Sequence, residues 1–524
     1  MKDDNLTMHW HGLSQSAYPF SDGTPLASQW PIPPGHYFDY ELRSEVDTAG
    51  TYFYHSHIGF QASTAGGPLI VEDPGATSCD RNLERVFFLS EYWQETDQEV
   101  KEQMQDTLIR WPGEARGFLI NGKGIASSGV PQRASKTLEV IEVEPAKAYR
   151  LRFIGATSLS MAMIGVENHT QFDIIAADGH YTQPYTVDLI QIGTGQRYDA
   201  VLRTKSCQEL RELGKLDYYI QVENRDRIEM VSSYGILRYK NTCNLPSQKR
   251  LPEHSNPSKS PMILPPTISG YLDYKLRPLR HTNPPTINEV TRRVIIHTQL
   301  LAHRYYAWQV NNNTWTEDQA DPVPHTSSSQ PYLVALYNNQ SRYLPDYDAA
   351  VANGGLDPKT GTYPAKLGEV IEIVFQQLAS RSEDGTPGGQ LDTHPWHAHG
   401  AHYWDMGGGP GAWDPDVVEK RLNGTYPVLR DTTLLYRYQE GGKPNEKAGW
   451  RVWRLRINDP GVWMVHCHTL QHMIQGMQTV WIHGDAKDIM HLERSDVQGY
   501  LNYGGDVYGN ATHAPTVVHF HELS

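Results

Sequence analysis

Long apolar runs are missing from this 524-residue sequence. No stretch approaches the roughly 18 residues that a membrane-crossing helix needs, so a soluble chain with no membrane partner is expected. An excess of positive charge is missing as well. Lys and Arg number 46 against 60 Asp and Glu, giving a net charge of −14 and a pI near 5.9, which argues against the basic surface that nucleic acid requires. Cysteine is scarce: Cys79, Cys207, Cys243 and Cys467 are the full set, and no Cys-x-x-Cys pair occurs. Helical periodicity is weak except around residues 97–109, so helices are expected as short connectors. No apolar leader precedes the first motif, because Met1-Lys2-Asp3-Asp4 is polar.

Turn and strand chemistry is plentiful. The chain holds 44 Gly, 34 Pro, 30 Tyr and 13 Trp, a composition that suits an all-β protein with many turns. Short apolar or alternating runs recur between Gly, Pro and Asn, at 68–73, 85–93, 137–145, 149–156, 293–300, 370–378 and 477–484. The length is too great for one core, and the spacing reads as successive β-sandwiches. The expected divisions are a first domain over 1–75, a second over 76–245, a Pro/Ser/Lys-rich linker over 246–288, and a third domain with its tail over 289–524. The first is expected to lack its N-terminal part, since little precedes residue 9 to pair with a strand there, and a bare sheet edge is costly.

Histidine carries the chemistry. It clusters as His9-Trp10-His11-Gly12, His55-Ser56-His57, His394-Pro395-Trp396-His397-Ala398-His399 and His466-Cys467-His468, the last followed by His472 and Met477. Along a strand, side chains at i and i+2 share a face. His466 and His468 therefore point to one site and Cys467 to the opposite one, joining two metal stations through adjacent residues. Cys467, His394, His472 and a weak axial Met477 form the set that suits blue copper. Zinc competes for Cys and His ligands, but it leaves eight further histidines unexplained. Those eight are His9, His11, His55, His57, His397, His399, His466 and His468, the number needed by three coppers bound by two, three and three imidazoles.

The sequence resembles the multicopper oxidases, specifically laccase-like and ascorbate-oxidase-like enzymes of filamentous fungi. The resemblance runs through HWHGLSQ at 9–15, DGT at 22–24, YHSHIGFQ at 54–61, GQRYD at 195–199, HPWHAHG at 394–400 and HCHTLQHMIQGM at 466–477. It implies an all-β chain of three consecutive cupredoxin-like Greek-key β-sandwich domains, with four coppers: one type 1, one type 2 and a type 3 pair. By motif, His9 and His397 look like type 2 ligands. His11, His55, His57, His399, His466 and His468 look like type 3 ligands, and His394, Cys467 and His472 like type 1 ligands with Met477 axial. The implied activity withdraws single electrons from a small phenolic or other aromatic donor at the type 1 copper, where His472 exposes its edge, and reduces O2 to water at the three-copper cluster.

The chain departs from the family in places. Trp30 stands where relatives often carry a Cys tying domain 1 to domain 3, Ala401-His402 replaces the usual His after His-x-His-Gly, and Leu470 and Gln471 stand where some relatives carry an acid. Asp22 is then the candidate for proton delivery. For the base that assists donor oxidation at the type 1 edge, the family points to the loop 174–180, where Asp178 aligns best and His180 offers a group titrating near neutrality. Cys207 and Cys243 are expected to pair. Six Asn-x-Ser/Thr sequons, at Asn5, Asn168, Asn312, Asn339, Asn423 and Asn510, favour a glycosylated protein that is secreted, extracellular or in the cell wall. His281, His297, His303, His325, His519 and His521 are not expected to bind copper, and Met161 and Met163 read as strand core. A monomer is expected. The alternatives are a metallo-oxidase or ascorbate oxidase on the same scaffold, and an inactive truncated or copper-free structural protein.

Overall fold

The computed structural model describes residues 4–44, 48–72, 83–106, 110–126, 136–246, 249–302, 306–317, 330–383, 385, 387–422, 424–489, 498–503 and 508–509. Strands Met8–His11, Gly50–Ser56 and Gly66–Val71 form an antiparallel sheet with the second strand central. Its register sets His9 opposite His55, so two histidine motifs enter one face together.

The next unit pairs a six-stranded with a five-stranded sheet, built from strands between Glu84 and Tyr239. Phe87, Leu151, Phe153, Ile164, Ile174 and Val222 are buried between them. The strand Glu84–Tyr92 lies parallel to Ala148–Gly155, a pairing that a chain of simple hairpins cannot make. A third unit repeats the plan between Arg292 and His483, again with six and five strands. In its smaller sheet Gly461–Cys467 runs between His394–Ala398 and Gln478–His483. The two motifs of the third unit therefore sit on neighbouring strands, with Trp396 opposite Cys467 and His397 opposite His466.

An apolar cluster fastens the first unit to the third. Tyr18, Phe20, Leu26 and Ile32 pack with the helix Tyr332–Tyr337 and with Val462, Met464 and Val480. Trp30 lies against this cluster, 6.1 Å ring to ring from Tyr503, so apolar contact holds the position where the resemblance raised a cysteine.

The run 246–288 holds no strand among its described residues, yet it is docked rather than loose. Its short turn Leu272–Tyr274 buries Asp273 completely enough to serve Arg430 and Arg451 as a counter-ion. The expected helix is Asp97–Gln105, opened by a capping box between Thr96 and Glu99. Cys207 and Cys243 are disulfide-bonded, and Cys467 is a buried free thiol. Cys79 lies outside the described residues.

Candidate metal centre

The strand alternation that separates the two stations is visible in the third unit. His397 and His399 share one parity and His394 the other, just as His466 and His468 oppose Cys467. All twelve candidate ligands are buried.

Hydrogen bonds fix which nitrogen of each imidazole is free. A carbonyl oxygen only accepts, so the nitrogen facing it carries the hydrogen. By that rule Nδ1–H donates from His9 to Asp22 O (2.7 Å), from His55 to Ser56 O (2.8 Å), from His397 to Asp431 O (2.9 Å) and from His466 to Cys467 O (3.0 Å). Nδ1 of His399 faces the Asp22 carboxylate at 3.0 Å, and Nδ1 of His57 faces Glu317 at 2.5 Å. The Thr194 hydroxyl, which donates to Thr157 O, accepts from Nδ1 of His468 at 3.0 Å. His11 is reversed: its Nε2 meets Asp431 and Thr432 at 3.2 and 3.0 Å, leaving Nδ1 without a partner.

The bare nitrogens converge. Nε2 of His466 lies 3.4 Å from that of His57 and 3.1 Å from that of His399; His9 meets His397 at 3.4 Å and His55 meets His468 at 3.3 Å. Two lone pairs facing each other at this distance cannot bond, and a cation between them turns the repulsion into ligation. Burial lowers the pKa of His11, His55, His397, His399, His466 and His468 well below the ordinary value, and that of His57 to about 3. Their lone pairs therefore stay available at neutral pH. The donor set fits copper, which imidazole suits.

At the second station Cys467 Sγ is 3.8 Å from His394 Nδ1 and 3.6 Å from His472 Nδ1, and the two nitrogens are 3.1 Å apart. The helix Leu470–Ile474 turns the chain back so that His472 returns to the thiol. Met477 is held alongside, its amide donating to His472 O and its carbonyl accepting from the Cys467 amide, both at 3.0 Å. The Trp308 ring lies 4.7 Å from that of His394 and 4.5 Å from that of His472. Burial pushes the Cys467 thiol up, so metal binding there releases a proton.

The predicted acids fall in two places. Asp22 is sealed beside the eight-histidine cluster, its carboxylate accepting from His399 and from the Thr24 hydroxyl at 2.8 Å. The contacts of Asp178 and His180 are with Arg197, Arg430, Thr432 and His402. Asp178 is fully buried and binds Arg430 Nε at 2.6 Å and the amides of Arg197 and Thr432 at 2.9 and 3.2 Å. Burial pushes its carboxyl up against the pull of Arg430. His180 bonds His402 at 3.0 Å, and His402 in turn reaches Asp431 at 3.0 Å. Burial first, with His402 next, holds His180 down to about 3, so it does not titrate near neutrality. Both residues brace the cluster side through these contacts.

Three carboxylates that sequence reasoning missed touch the ligands. Asp431 meets His11 and is held well below the usual carboxylate range, against its burial, by Arg197. Glu317 meets His57. Asp392 lies 3.4 Å from His472 Nε2 and 3.2 Å from Arg227. Against its burial, Arg227 and His472 hold Asp392 below the usual range. No local pattern marks these residues, although Asp392 stands only two positions before His394.

Of the other histidines, His281 packs on Tyr426 and the amide of His297 bonds Asn311. His303, His325, His519 and His521 lie outside the described residues. Met161 and Met163 are buried in the strand Met161–Val166.

Paired β-sandwiches carrying a Cys-His-His station next to an eight-imidazole cluster define a cupredoxin-type copper oxidase. Comparison with known proteins narrows this. The sequence matches the multicopper oxidase family over residues 1–76, 84–242 and 325–487. It is 44% identical to laccase-like multicopper oxidase 1 of Thermothelomyces thermophilus, across 99% of this chain and 85% of that protein. It is 43% identical to multicopper oxidase terE of Aspergillus terreus, across 98% of both. Among solved structures, Fet3p, a multicopper oxidase that functions in iron import, superposes with a TM-score of 0.69 at 20% identity, over 99% of this chain and 90% of that one. The chain belongs to the multicopper oxidase family, whose centres are copper.

Proposed function

We propose that this chain is a secreted laccase-like oxidase that takes single electrons from phenolic and aminophenolic donors through His472 and uses them to reduce O2 to water. His394, Cys467 and His472, with Met477 beside them, would hold the type 1 copper, and His9 and His397 the type 2 copper. His57, His399 and His466 would hold one type 3 copper, and His11, His55 and His468 the other. Bound copper supplies one-electron redox steps and, as a set of four, the full complement of electrons for O2. Cys467 is bonded through the backbone to His466 and His468, so the thiolate and the cluster imidazoles share a short covalent route.

The observation that carries the donor class is Asp392 beside His472 Nε2. A phenol loses its proton as it loses its electron, and an ionised carboxylate at the imidazole edge accepts the hydrogen bond that orients the hydroxyl. The half-exposed Trp111 faces Arg227, the partner of Asp392, at 5.8 Å, which gives an aromatic donor a ring to lie against. The disulfide and the sequons support secretion.

A second reading, oxidation of Fe(II), draws support from Asp226, which lines the same small depression as Asp392. That acidic edge is not evident in the sequence. Arg437 and Arg227 lie against these two carboxylates at 3.6 and 3.2 Å and weaken their pull on a cation, which favours the organic donor. Oxygen uptake by the copper-loaded protein, measured with a diphenol, an aminophenol, ascorbate and Fe(II), tests the proposal. A higher kcat/KM for Fe(II) or ascorbate than for both phenols would overturn it.

A further inference from the structure

We infer that Glu317 positions the type 3 ligand His57, supplying from a distant loop the carboxylate that the segment after His-Cys-His lacks. The inference rests on the copper assignment proposed above. Leu470 follows that motif at the place where an acid would stand, and it is buried among Phe60, Trp93, Val100 and Met104. A carboxylate there would be desolvated among apolar side chains.

Glu317 reaches the cluster by another route. The Trp315 amide bonds Gly476 O at 3.3 Å, and a side chain on Gly476 would collide with Thr314 at 2.7 Å. The loop 314–317 is thereby clamped onto the turn that carries Met477, and two residues further on Glu317 meets His57. His57 is fully buried and the Glu317 side chain is 8% exposed. Because a carboxylate accepts, Nδ1 of His57 keeps its hydrogen and Nε2 presents its lone pair toward His466. The outer side of Glu317 borders a cavity of about 110 Å3, lined also by Asp4, Asn5, Lys101, Gln105 and Thr316. That volume suffices for water. Without the carboxylate, water competes for Nδ1–H and the ring is free to turn.

Ligand-orienting partners of this kind are worth about 10- to 100-fold in metal affinity. Three variants separate reach from charge. Glu317→Gln keeps an oxygen within reach of Nδ1 and loses the charge; Glu317→Asp keeps the charge and loses the reach; Glu317→Leu loses both. Copper per chain is measured after dialysis against a graded chelator, with the blue thiolate band, the near-ultraviolet type 3 band and the electron paramagnetic resonance spectrum recorded in parallel. Thermal unfolding of each copper-free variant reports whether it folds. E317Q should retain type 3 copper within about threefold of wild type. E317D and E317L should lose it at about 10- to 100-fold lower chelator strength while the blue band persists. Wild-type retention by E317L, or loss by E317Q with retention by E317D, would overturn the inference. A wild-type protein lacking the blue band would instead defeat the copper assignment beneath it.

Discussion

Removing the Arg430 guanidinium tests whether the buried ionic network, rather than donor chemistry, explains Asp178. Arg430 is wholly enclosed. It binds Asp178 at 2.6 Å, Asp273 at 3.1 Å and the Tyr198 hydroxyl at 3.3 Å. Breaking a buried pair from one side costs about 3–5 kcal/mol. Neither orphaned carboxylate would be bare, however: Asp178 keeps two backbone amides, and Asp273 keeps Gln196 and Arg451. The low end, about 3 kcal/mol, is therefore expected for Arg430→Met. The urea slope grows with size beyond the roughly 1–3 kcal/mol per molar of small proteins, so the unfolding midpoint of the copper-free protein should fall by up to about 1 M. Removing the second charge as well, in Arg430→Met with Asp178→Leu, should recover at least half of the lost stability. Asp178→Asn alone should leave KM for a phenol unchanged per bound copper. A midpoint within about 0.3 M of wild type for R430M, or a raised phenol KM for D178N, would refute this account.

Three further outcomes are expected. Asp392→Asn should raise KM for phenols several-fold more than for a donor without an ionisable hydroxyl, read from steady-state oxygen uptake; equal effects on both would count against the carboxylate contact. Met477→Leu should raise the type 1 reduction potential, because it removes a thioether that favours the oxidised ion, and spectroelectrochemistry reads the shift directly. The copper-free protein should lose stability as pH falls. His57 and His394 sit at about 3 when folded and near 6.5 when unfolded, so below 6.5 the unfolded chain binds more protons. Each group then contributes a loss of about 1.4 kcal/mol per pH unit down to about pH 3, and none above 6.5. A flat melting profile between pH 7 and 4 would contradict the burial of neutral imidazoles.

The histidine spacing was legible because strand parity is a local property: His466, Cys467 and His468 divide between two faces wherever the strand lies. The repeated sandwich was legible for the same reason, through short runs bounded by turn residues. Contacts made by tertiary approach were not. Asp431 is 420 residues from His11 and Glu317 is 260 from His57, and nothing near either acid announces the meeting. The burial of Asp178 was not legible either, because Asp178-Gly179 is a genuine turn, with φ of 46° and 85°, and such turns usually face solvent. Here the first unit covers it, with Gly50 so close that a side chain there would meet Gly179 Cα at 2.6 Å. Trp30 illustrates the reverse: the missing cysteine was evident, whereas the packing against Tyr503 that stands in its place appears only in three dimensions.

The two stations differ in how many folded units each draws on. The candidate ligands of the thiolate station all lie between His394 and Met477, within a single sandwich, while the eight imidazoles are drawn from His9 through His468. A nascent chain emerging from the ribosome therefore cannot close the oxygen-reducing chamber until its last domain has appeared and docked on its first. The electron-accepting station faces no such delay once its own sandwich has folded. Maturation should consequently pass through a blue species that takes electrons from donors but cannot hand them to oxygen.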